Sequence, residues 1–390
     1  MLTRRTVVGS IGGGLAVATT GCLEAFGGDT CPDGDLGTVS GSWTTRGGNA
    51  GHINATGAGG FGGEPEIRWC TDIEGRLTSL LLADGRVYAI ERVGDVGDRT
   101  FYLRANDASD GSEEWRRRLP AEPIAEAAFA DGGIHVTMER DDADLVARYA
   151  ASDGNEEWAV DFTRETDSMP AVADGTVYVV DVAGEVYAYE ASSGTEQWST
   201  KVSRRIAPTL LGNVPAVADG TVYVGTAIGK GPAAIDAADG TVRWQRDMSD
   251  FFHPITDGDT LLGGAEDVLY ALDAATGETR WKLTSVGSAP PALNGDTVFA
   301  FGTGGPTAYA ATDGSRRWTH PLSDDIGDGT GLVATAGTLL VVGREGVLGI
   351  DSSSGEERWT LVAEVDRFVT GDGVAFTSDV SDGLHGLAFP

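Results

Sequence analysis

Lysine is almost absent from this sequence of 390 residues. Only three of its 28 basic residues are lysine (Lys201, Lys230 and Lys282), and 59 acidic residues give a formal net charge of −31. Nucleic acid is excluded as a partner, because binding it requires a basic face that displaces counterions from the phosphates. The carboxylates repel one another in dilute buffer but remain hydrated where salt screens them. This composition indicates a protein that works in concentrated salt, as in halophilic archaea; an ordinary acidic secreted protein is the alternative.

Long apolar runs are also missing. The run from Val7 to Thr20 has roughly fourteen residues, whereas a helix that spans a bilayer needs about twenty. It follows Thr3–Val8 (TRRTVV), which resembles a twin-arginine export signal, and it ends in Thr19–Cys22 (TTGC), which resembles a lipobox. We therefore predict that residues 1–21 are a signal peptide and that lipidated Cys22 anchors the protein at the extracellular face of the cell membrane. Cleavage and release without a lipid is the alternative.

Cysteine is scarce, with only Cys22, Cys31 and Cys70 present. Once Cys22 carries lipid, the other two form an even pair, and export favours disulfides. We predict a disulfide between Cys31 and Cys70. Two free thiols are the alternative, because twin-arginine substrates fold first in a reducing cytoplasm. The five histidines are far apart in sequence and lack the spacing of zinc ligands, so no metal site is predicted.

Glycine, by contrast, is abundant, with 57 residues. Together with a hydrophobic fraction of 41%, this content fits many short strands and tight turns around an ample core. The region 23–63 is especially rich in glycine, so we predict that residues 22–63 form a flexible tether to a domain at residues 64–390. Within the tether, the segment Ser42–His52 contains a lone tryptophan, Trp43, which we expect to dock on the adjoining domain.

An internal repeat organises the rest of the chain. Glycine followed four residues later by tryptophan occurs seven times, at Gly111/Trp115, Gly154/Trp158, Gly194/Trp198, Gly240/Trp244, Gly277/Trp281, Gly314/Trp318 and Gly355/Trp359. The residue before each glycine is Asp, Ser or Thr, which suits a turn, and the glycine supplies the positive φ that such turns require. Each tryptophan then lies in the following strand, where its ring is expected to pack against the next unit.

A second signal alternates with the first. Eight two-residue turns precede β-rich runs such as Thr176–Val180 (TVYVV), and this combination is the strongest short hairpin signal. The turns are Asp84-Gly85, Asp131-Gly132, Asp174-Gly175, Asp219-Gly220, Asp257-Gly258, Asn294-Gly295, Ala336-Gly337 and Asp372-Gly373. Each unit therefore contains four strands, and the seven steps from Trp69 to Trp359 average about 41 residues, which is typical of a β-propeller blade.

The count of strands predicts how the ring closes. Eight hairpins need eight outer strands, but only seven strands with the Gly-x-x-x-Trp pattern follow them. The missing strand lies upstream at Pro65–Cys70, which contains Trp69 and has no hairpin before it. We therefore predict an all-β, eight-bladed β-propeller whose last blade is completed by residues 64–73. The tryptophans expected to dock neighbouring blades are Trp69, Trp115, Trp158, Trp198, Trp244, Trp281, Trp318 and Trp359.

The string Ala271–Trp281 (ALDAATGETRW) resembles the tryptophan-docking motif of pyrroloquinoline-quinone-type (PQQ-like) propellers. Weaker copies occur at Ala105–Trp115, Ala188–Trp198, Ala234–Trp244, Ala308–Trp318 and Gly349–Trp359. The segment near Trp43 is similar to the short lead-in before the first blade in this group. The resemblance covers about residues 40–390 and implies a quinoprotein-like fold. It leaves two kinds of function open, because the repeat is shared by quinoprotein dehydrogenases and by quinone-free relatives, including exported lipoproteins that serve as scaffolds in envelope protein assembly.

Features of the dehydrogenase class are missing from this sequence. That class holds a quinone and calcium in the central funnel, beside adjacent cysteines and with ligands and an aspartate base on long insertions. Here no two of the three cysteines are adjacent, and the units are short and even. We therefore expect no catalytic, cofactor-binding or metal-binding residues, and we predict a monomeric, non-enzymatic scaffold that acts through a protein or small-ligand partner. A PQQ-dependent alcohol or sugar dehydrogenase is the alternative.

Overall fold

The computed structural model consists of strands that form eight antiparallel sheets. It describes residues 32–140, 143–162, 164–166, 168–202, 214–225, 231–248, 251–265, 267–287, 289–322, 326, 329–379 and 383–390. Within these residues, no helix has both the length and the apolar character needed to cross a bilayer. The sheets correspond one to one with the eight predicted units, and we number them as blades 1 to 8 in chain order.

Each blade runs from an inner strand to an outer strand. Blade 1 comprises β2 (Arg76–Ala83), β3 (Arg86–Val93), β4 (Thr100–Asp107) and β5 (Glu113–Arg118). Blade 2 comprises β6 (Glu122–Pro123), β7 (Ala128–Ala130), β8 (Gly133–Glu139), β9 (Leu145–Ala150) and β10 (Glu156–Asp161). Blade 3 comprises β11 (Ala171–Ala173), β12 (Thr176–Val180), β13 (Glu185–Glu190) and β14 (Glu196–Lys201), and blade 4 comprises β15 (Ala216–Ala218), β16 (Thr221–Val224), β17 (Ala233–Asp236) and β18 (Val242–Gln245).

Blade 5 comprises β19 (Phe252–Thr256), β20 (Thr260–Ala265), β21 (Val268–Asp273) and β22 (Thr279–Thr284). Blade 6 comprises β23 (Ala292–Asn294), β24 (Thr297–Gly302), β25 (Gly305–Ala310) and β26 (Arg316–Thr319). Blade 7 comprises β27 (Gly329–Ala334), β28 (Thr338–Gly343), β29 (Gly346–Asp351) and β30 (Glu357–Val362), and blade 8 comprises β31 (Arg367–Gly371), β32 (Val374–Ser378), β33 (Gly383–Ala388) and β1 (Glu66–Asp72).

The predicted closure of the ring is confirmed. Strand β1 is the outermost strand of blade 8 and pairs antiparallel with β33, with Trp69 opposite Gly386 and Cys70 opposite His385. The inner strands of blades 1 and 8, β2 and β31, contact each other. Both ends of the described chain therefore meet in one blade, and the sequence-based prediction of an eight-bladed β-propeller is correct.

Four of the eight hairpin turns have the backbone that their sequences predict, and in the other four only the glycine has a positive φ. Both central residues have positive φ at Asp84-Gly85, Asp131-Gly132, Asp174-Gly175 and Asp219-Gly220, with φ between 47° and 73°. Two successive positive φ values define a type I′ turn, whose twist matches that of the flanking strands. Aspartate tolerates this conformation better than most residues, and glycine adopts it without a steric penalty.

Each of the eight tryptophans donates a hydrogen bond to a carbonyl oxygen beyond its own blade. The Nε1–O distances are 2.7–3.1 Å, and the acceptors, in the order of the tryptophans from Trp69 to Trp359, are Ala108, Ala151, Ala191, Ala237, Ala274, Ala311, Ser352 and Phe61. The first seven acceptors lie in the turn of the following blade, and the glycine of that turn rests on the indole ring. A side chain at Gly111, for example, would overlap the ring of Trp69.

Trp359 differs because the outer strand of blade 8 has no such turn before it. Its indole donates instead to Phe61, in the lead-in to β1, and its ring lies 5.4 Å from that of Phe389. Elsewhere, the buried apolar side chains of the described residues form clusters that each span neighbouring blades. The hydrophobic core is therefore distributed around the ring between the blades.

Candidate functional site at the centre of the ring

Residues 40–61, which we call the strap, run around one end of the central channel before the chain reaches β1. In six blades, a residue near the end of the inner strand donates its backbone N–H to a carbonyl oxygen of the strap. The pairs are Leu82 to Trp43, Phe129 to Thr44, Val217 to Ala50, Thr256 to Gly51, Leu293 to Ile53 and Ala334 to Asn54, at N–O distances of 2.7–2.9 Å. Turns of blade 8 donate to Ser40 and Gly59. The strap therefore bonds to blades 1, 2, 4, 5, 6, 7 and 8.

The local sequence of the strap fits this path. Trp43 is 5% exposed and pairs with Leu82 through two backbone hydrogen bonds of 2.8 and 2.9 Å. Gly47 and Gly48 have φ of 85° and 90°, which side chains rarely tolerate, and they turn the chain between blades 2 and 4. Any side chain at Gly51 would collide with the Thr256 carbonyl oxygen. Part of the region whose composition predicts a tether is thus packed against the ring.

Residues of the strap line one end of a cavity at the centre of the ring. The larger part has a volume of about 830 Å³, some of it open to solvent, and a neighbouring part has about 320 Å³. Both parts are lined by Arg46, Asn54 and Pro290, so we treat them as one central cavity. The larger part is lined by two sets of side chains, the apolar Trp43, Leu80, Leu332, Val333, Val342, Phe368 and Val369 and the polar or charged Arg46, Asn54, Glu126, Asp366 and Arg367.

Charged side chains occupy the end of the cavity opposite the strap. Glu126 precedes β7, and Asp366 and Arg367 stand at the start of β31. Asp366 accepts hydrogen bonds of 2.8 and 2.6 Å from Arg76, and Arg367 donates one of 3.0 Å to the Thr78 carbonyl oxygen. Asp366 and Arg367 are therefore held in fixed positions at the rim.

Two histidines and one arginine meet in the smaller part of the cavity. The ring nitrogens of His52 lie 2.5 Å from the Arg46 carbonyl oxygen and 3.1 Å from that of Pro215. Burial lowers the pKa of His52, despite these two acceptors. Burial and the nearby positive charge of Arg46 lower the pKa of His253 to about 4. His253 also has a φ of 49°, which is unusual for a residue with a side chain. At neutral pH, therefore, Arg46 supplies the positive charge here and both imidazoles are neutral.

Sequence reasoning did not anticipate this meeting of His52 and His253, because 201 positions separate them along the chain. The lone Trp43 in a glycine-rich segment was the available signal, and it pointed to docking without indicating where the segment would lie. The predicted docking tryptophans lie between blades, and among them none lines the cavity.

Cys22 and Cys31 lie outside the described residues. Cys70 is disulfide-bonded, and its predicted pairing with Cys31 remains a prediction.

The described lining of the cavity does not fit a quinone with calcium. Calcium takes about six to eight oxygen ligands, largely from carboxylates and carbonyls. Among the residues that the structure describes, no three His, Cys, Asp or Glu side chains are grouped closely enough to hold a metal ion. The Asp366 carboxylate is already bound by Arg76, and the three cysteines of the sequence are not adjacent.

A third histidine, His135, lies outside the cavity and provides a test of the packing between blades 2 and 3. It is fully buried, its ring is 5.8 Å from that of Trp158, and blades 1 and 3 have Tyr88 and Tyr178 at the equivalent position. Burial, assisted by the charge of Arg148, lowers its pKa to about 4. The folded state therefore favours the neutral ring, whereas the unfolded chain binds a proton below about pH 6.5.

We expect wild-type protein to lose stability relative to a His135→Phe variant as the pH falls from 6.5 to 4. Because the unfolded state binds the additional proton over this interval, the difference reaches at most about 3 kcal/mol. Denaturant unfolding of both proteins at several pH values in constant salt measures it. Parallel pH profiles would contradict the assignment of a buried neutral imidazole.

The ring of eight sheets, seven with four strands and one with five, and with one indole per blade docked on a neighbouring element, defines a quinoprotein-like β-propeller. The family model described as outer membrane protein assembly factor BamB matches residues 99–251 and 233–367, and the chain belongs to this family. No curated protein sequence matches the chain.

Solved structures share the fold at low sequence identity. BamB from Moraxella catarrhalis is 17% identical with a TM-score of 0.63, over 84% of this chain and 98% of that one. The quinohemoprotein alcohol dehydrogenase ADHIIG from Pseudomonas putida HK5 is 13% identical with a TM-score of 0.66, over 90% and 80%. A europium-containing methanol dehydrogenase is 14% identical with a TM-score of 0.66, over 89% and 98%. These similarities establish the fold, which an assembly factor and dehydrogenases share.

Proposed function

We propose that this protein is a non-enzymatic binding scaffold that acts through a protein or small-ligand partner. The supporting observation is the cavity at the centre of the ring, which strap residues border and which apolar and charged side chains line together. A cavity that combines apolar side chains with polar groups held in fixed positions suits binding, and the described residues do not assemble a calcium site. The name of the family, an assembly factor for outer membrane proteins, supports a partner among exported or envelope proteins.

The proposal places the scaffold at the extracellular face of the cell membrane, held by lipid on Cys22 after twin-arginine export. The support is the N-terminal sequence, in which the Arg4-Arg5 pair and an apolar run precede the TTGC string that ends at Cys22. The disulfide of Cys70 is consistent with an oxidising compartment.

The anchor is tested by fractionation of cells that express either the wild type or a Cys22→Ser variant. We expect the wild type to sediment with membranes in high salt, because a covalent lipid is insensitive to charge screening. The variant should fail to acquire the lipid and should not partition into membranes or detergent. Equal partitioning of the two proteins would refute the lipid anchor, whatever the partner of the propeller is.

The alternative function, a PQQ-dependent dehydrogenase, is supported by the shared fold of the two dehydrogenases. To test it, protein purified in high salt is supplied with the quinone and calcium and offered alcohols and sugars with a dye acceptor. We expect no dye reduction above a heat-denatured control. Saturable turnover would overturn the scaffold proposal.

A further inference from the structure

We infer that the disulfide of Cys70 is a redox-active site, which a thiol opens by exchange and at which protonated His385 stabilises the released Cys70 thiolate. The inference goes beyond the proposed function and does not depend on it. Three observations carry it. Cys70 is disulfide-bonded, it lies opposite His385 on the neighbouring strand, and His385 is hydrogen-bonded to a buried carboxylate, that of Asp379.

Cys70 lies on the outermost strand of blade 8 and is partly exposed. In the pairing of β1 with β33 it is directly opposite His385. Opposite residues of antiparallel strands project to the same face of the sheet, with Cβ atoms about 4.5–5.5 Å apart. The adjacent pair follows this rule, because a side chain at Gly386 would overlap the ring of Trp69 opposite it. The sulfur of Cys70 and the imidazole of His385 are therefore neighbours on the other face.

The imidazole is held by a carboxylate. Nε2 of His385 lies 3.0 Å from Oδ2 of Asp379, and each of the two residues exposes only 3% of its surface. The other carboxylate oxygen, Oδ1, accepts a hydrogen bond of 3.2 Å from the backbone N–H of Gly383, so the hairpin itself fixes the carboxylate. A carboxylate in this position orients an imidazole and balances the positive charge that the ring acquires. His385 is thus the proton acceptor beside the sulfur, and Asp379 is its positioning residue.

This arrangement acts when the disulfide opens. Cys70 is the only cysteine among the described residues, so the other sulfur of the disulfide lies outside them. A thiolate attacks that other sulfur, the S–S bond to Cys70 breaks, and the electron pair of the bond stays on Cys70 as a thiolate. The attacking thiol has lost a proton to solvent, and His385 takes one up. A second thiol then attacks the first in the mixed disulfide, so one protein disulfide is reduced while two thiols are oxidised.

The ion pair between Cys70 and His385 sets the direction of this exchange. A cationic neighbour favours the thiolate over the thiol, and a thiol that ionises easily is a good leaving group. The imidazolium therefore speeds the opening of the disulfide and stabilises the reduced form. Both effects raise the reduction potential above that of a disulfide with no such neighbour.

Blade 3 contains a counterpart of this hairpin that cannot accept a proton. There Asp181 and Tyr187 are six residues apart, which is also the spacing of the pair in blade 8. Oδ1 of Asp181 accepts a hydrogen bond of 2.8 Å from the backbone N–H of Glu185, and the Tyr187 hydroxyl donates to Oδ2 at 3.4 Å. A phenol meets the structural need of the hairpin, but it takes up no proton at neutral pH. In blade 8 the corresponding side chain is a base, and it stands beside a cysteine.

The test measures how readily Cys70 is reduced in the folded protein. The full-length protein is equilibrated in constant high salt at neutral pH with set ratios of reduced and oxidised dithiothreitol. After acid quenching and alkylation, mass spectrometry gives the reduced fraction of Cys70. We expect His385→Gln, which keeps a donor for Asp379 but cannot take up a proton, to disfavour reduction at least tenfold in the equilibrium constant, or about 30 mV. His385→Tyr, which copies blade 3, should do the same if glutamine does not fold.

The two hairpins supply matched controls. Asp379→Asn should disfavour reduction at least threefold, because asparagine does not balance the charge of the imidazolium, whereas Asp181→Asn makes the same change in blade 3 and should leave the wild-type equilibrium constant. Circular dichroism shows which variants are folded. Equal constants in the wild type and a folded His385 variant would overturn the inference, and so would a wild-type disulfide that opens only in denaturant.

Two further thiols identify the kind of reductant. Opening is compared with free cysteine and with the peptide Gly-Cys-Gly at equal thiol concentration. Faster opening by the peptide assigns the site to a polypeptide thiol, and equal or slower opening assigns it to a small thiol. Opening by neither would overturn the inference. All of these results leave the scaffold proposal and the lipid anchor untouched, since those are tested by turnover and by fractionation.

Discussion

A chain that begins at residue 64, and so keeps β1 but lacks the strap, should unfold at a temperature lower by on the order of 10 °C than a chain that begins at residue 40. The strap contributes two large buried side chains, Trp43 at 5% exposure and Phe61 at 2%. Removing one such side chain typically costs about 3–5 kcal/mol, so their joint loss is expected to exceed about 6 kcal/mol. It also leaves Trp359 without its acceptor, the Phe61 carbonyl oxygen.

The comparison isolates the strap, because both truncated chains lack Cys31 and every residue before Ser40. Circular dichroism during heating in constant high salt gives the two midpoints. The shorter chain should still melt cooperatively, since its eight blades and the pairing of β1 with β33 are intact. Equal midpoints would show that the strap lies on the ring without stabilising it.

The fold was predictable because its signals are local and repeated. Gly-x-x-x-Trp fixes the turn and the outer strand of a blade within five residues, and Asp-Gly fixes the inner hairpin within two. The closure of the ring was predictable because eight hairpins stand against seven Gly-x-x-x-Trp strands. The missing outer strand had to be the one that contains Trp69, which no hairpin precedes. Such arguments need only that each unit cannot bury its apolar face alone and must pack against neighbours.

The centre of the ring was not predictable by the same route. Residues 40–61 have neither strand alternation nor helical periodicity, and their many glycines suggest a tether. Their structure is defined by single hydrogen bonds to inner strands that are far away in sequence, such as the bond from Leu293 to Ile53. A sequence pattern reflects the propensity of each residue for a local structure. It cannot show that inner strands far away in sequence donate a backbone N–H to this segment from nearly every blade. The meeting of Arg46, His52 and His253 depends on this path.

The tryptophans also differ in a way that the repeat conceals. Trp69 and Trp244 occupy the same position in their blades and donate to equivalent carbonyl oxygens, at 3.1 and 2.9 Å. Trp69, however, is 1% exposed, packs 5.8 Å from Phe376 and leaves no room for a side chain at Gly386, whereas Trp244 is only partly buried. The docking contact at the closure of the ring is thus the better buried of the two.

We therefore expect Trp69→Ala to destabilise the protein by about 3–5 kcal/mol, and Trp244→Ala by less, because the cost grows with the buried volume that is left empty.

The two variants should also differ in association. Trp244 lies in a strand that is continuous with its own blade, whereas Trp69 lies in β1, which reaches blade 8 from the far end of the chain. When β1 loosens, the backbone edge of β33 becomes available for pairing with another molecule. Sedimentation velocity in high salt below the melting temperature should detect oligomers of Trp69→Ala and a monomer of Trp244→Ala. Equal loss of stability, with both variants monomeric, would mean that the closing strand is held no differently from the other outer strands.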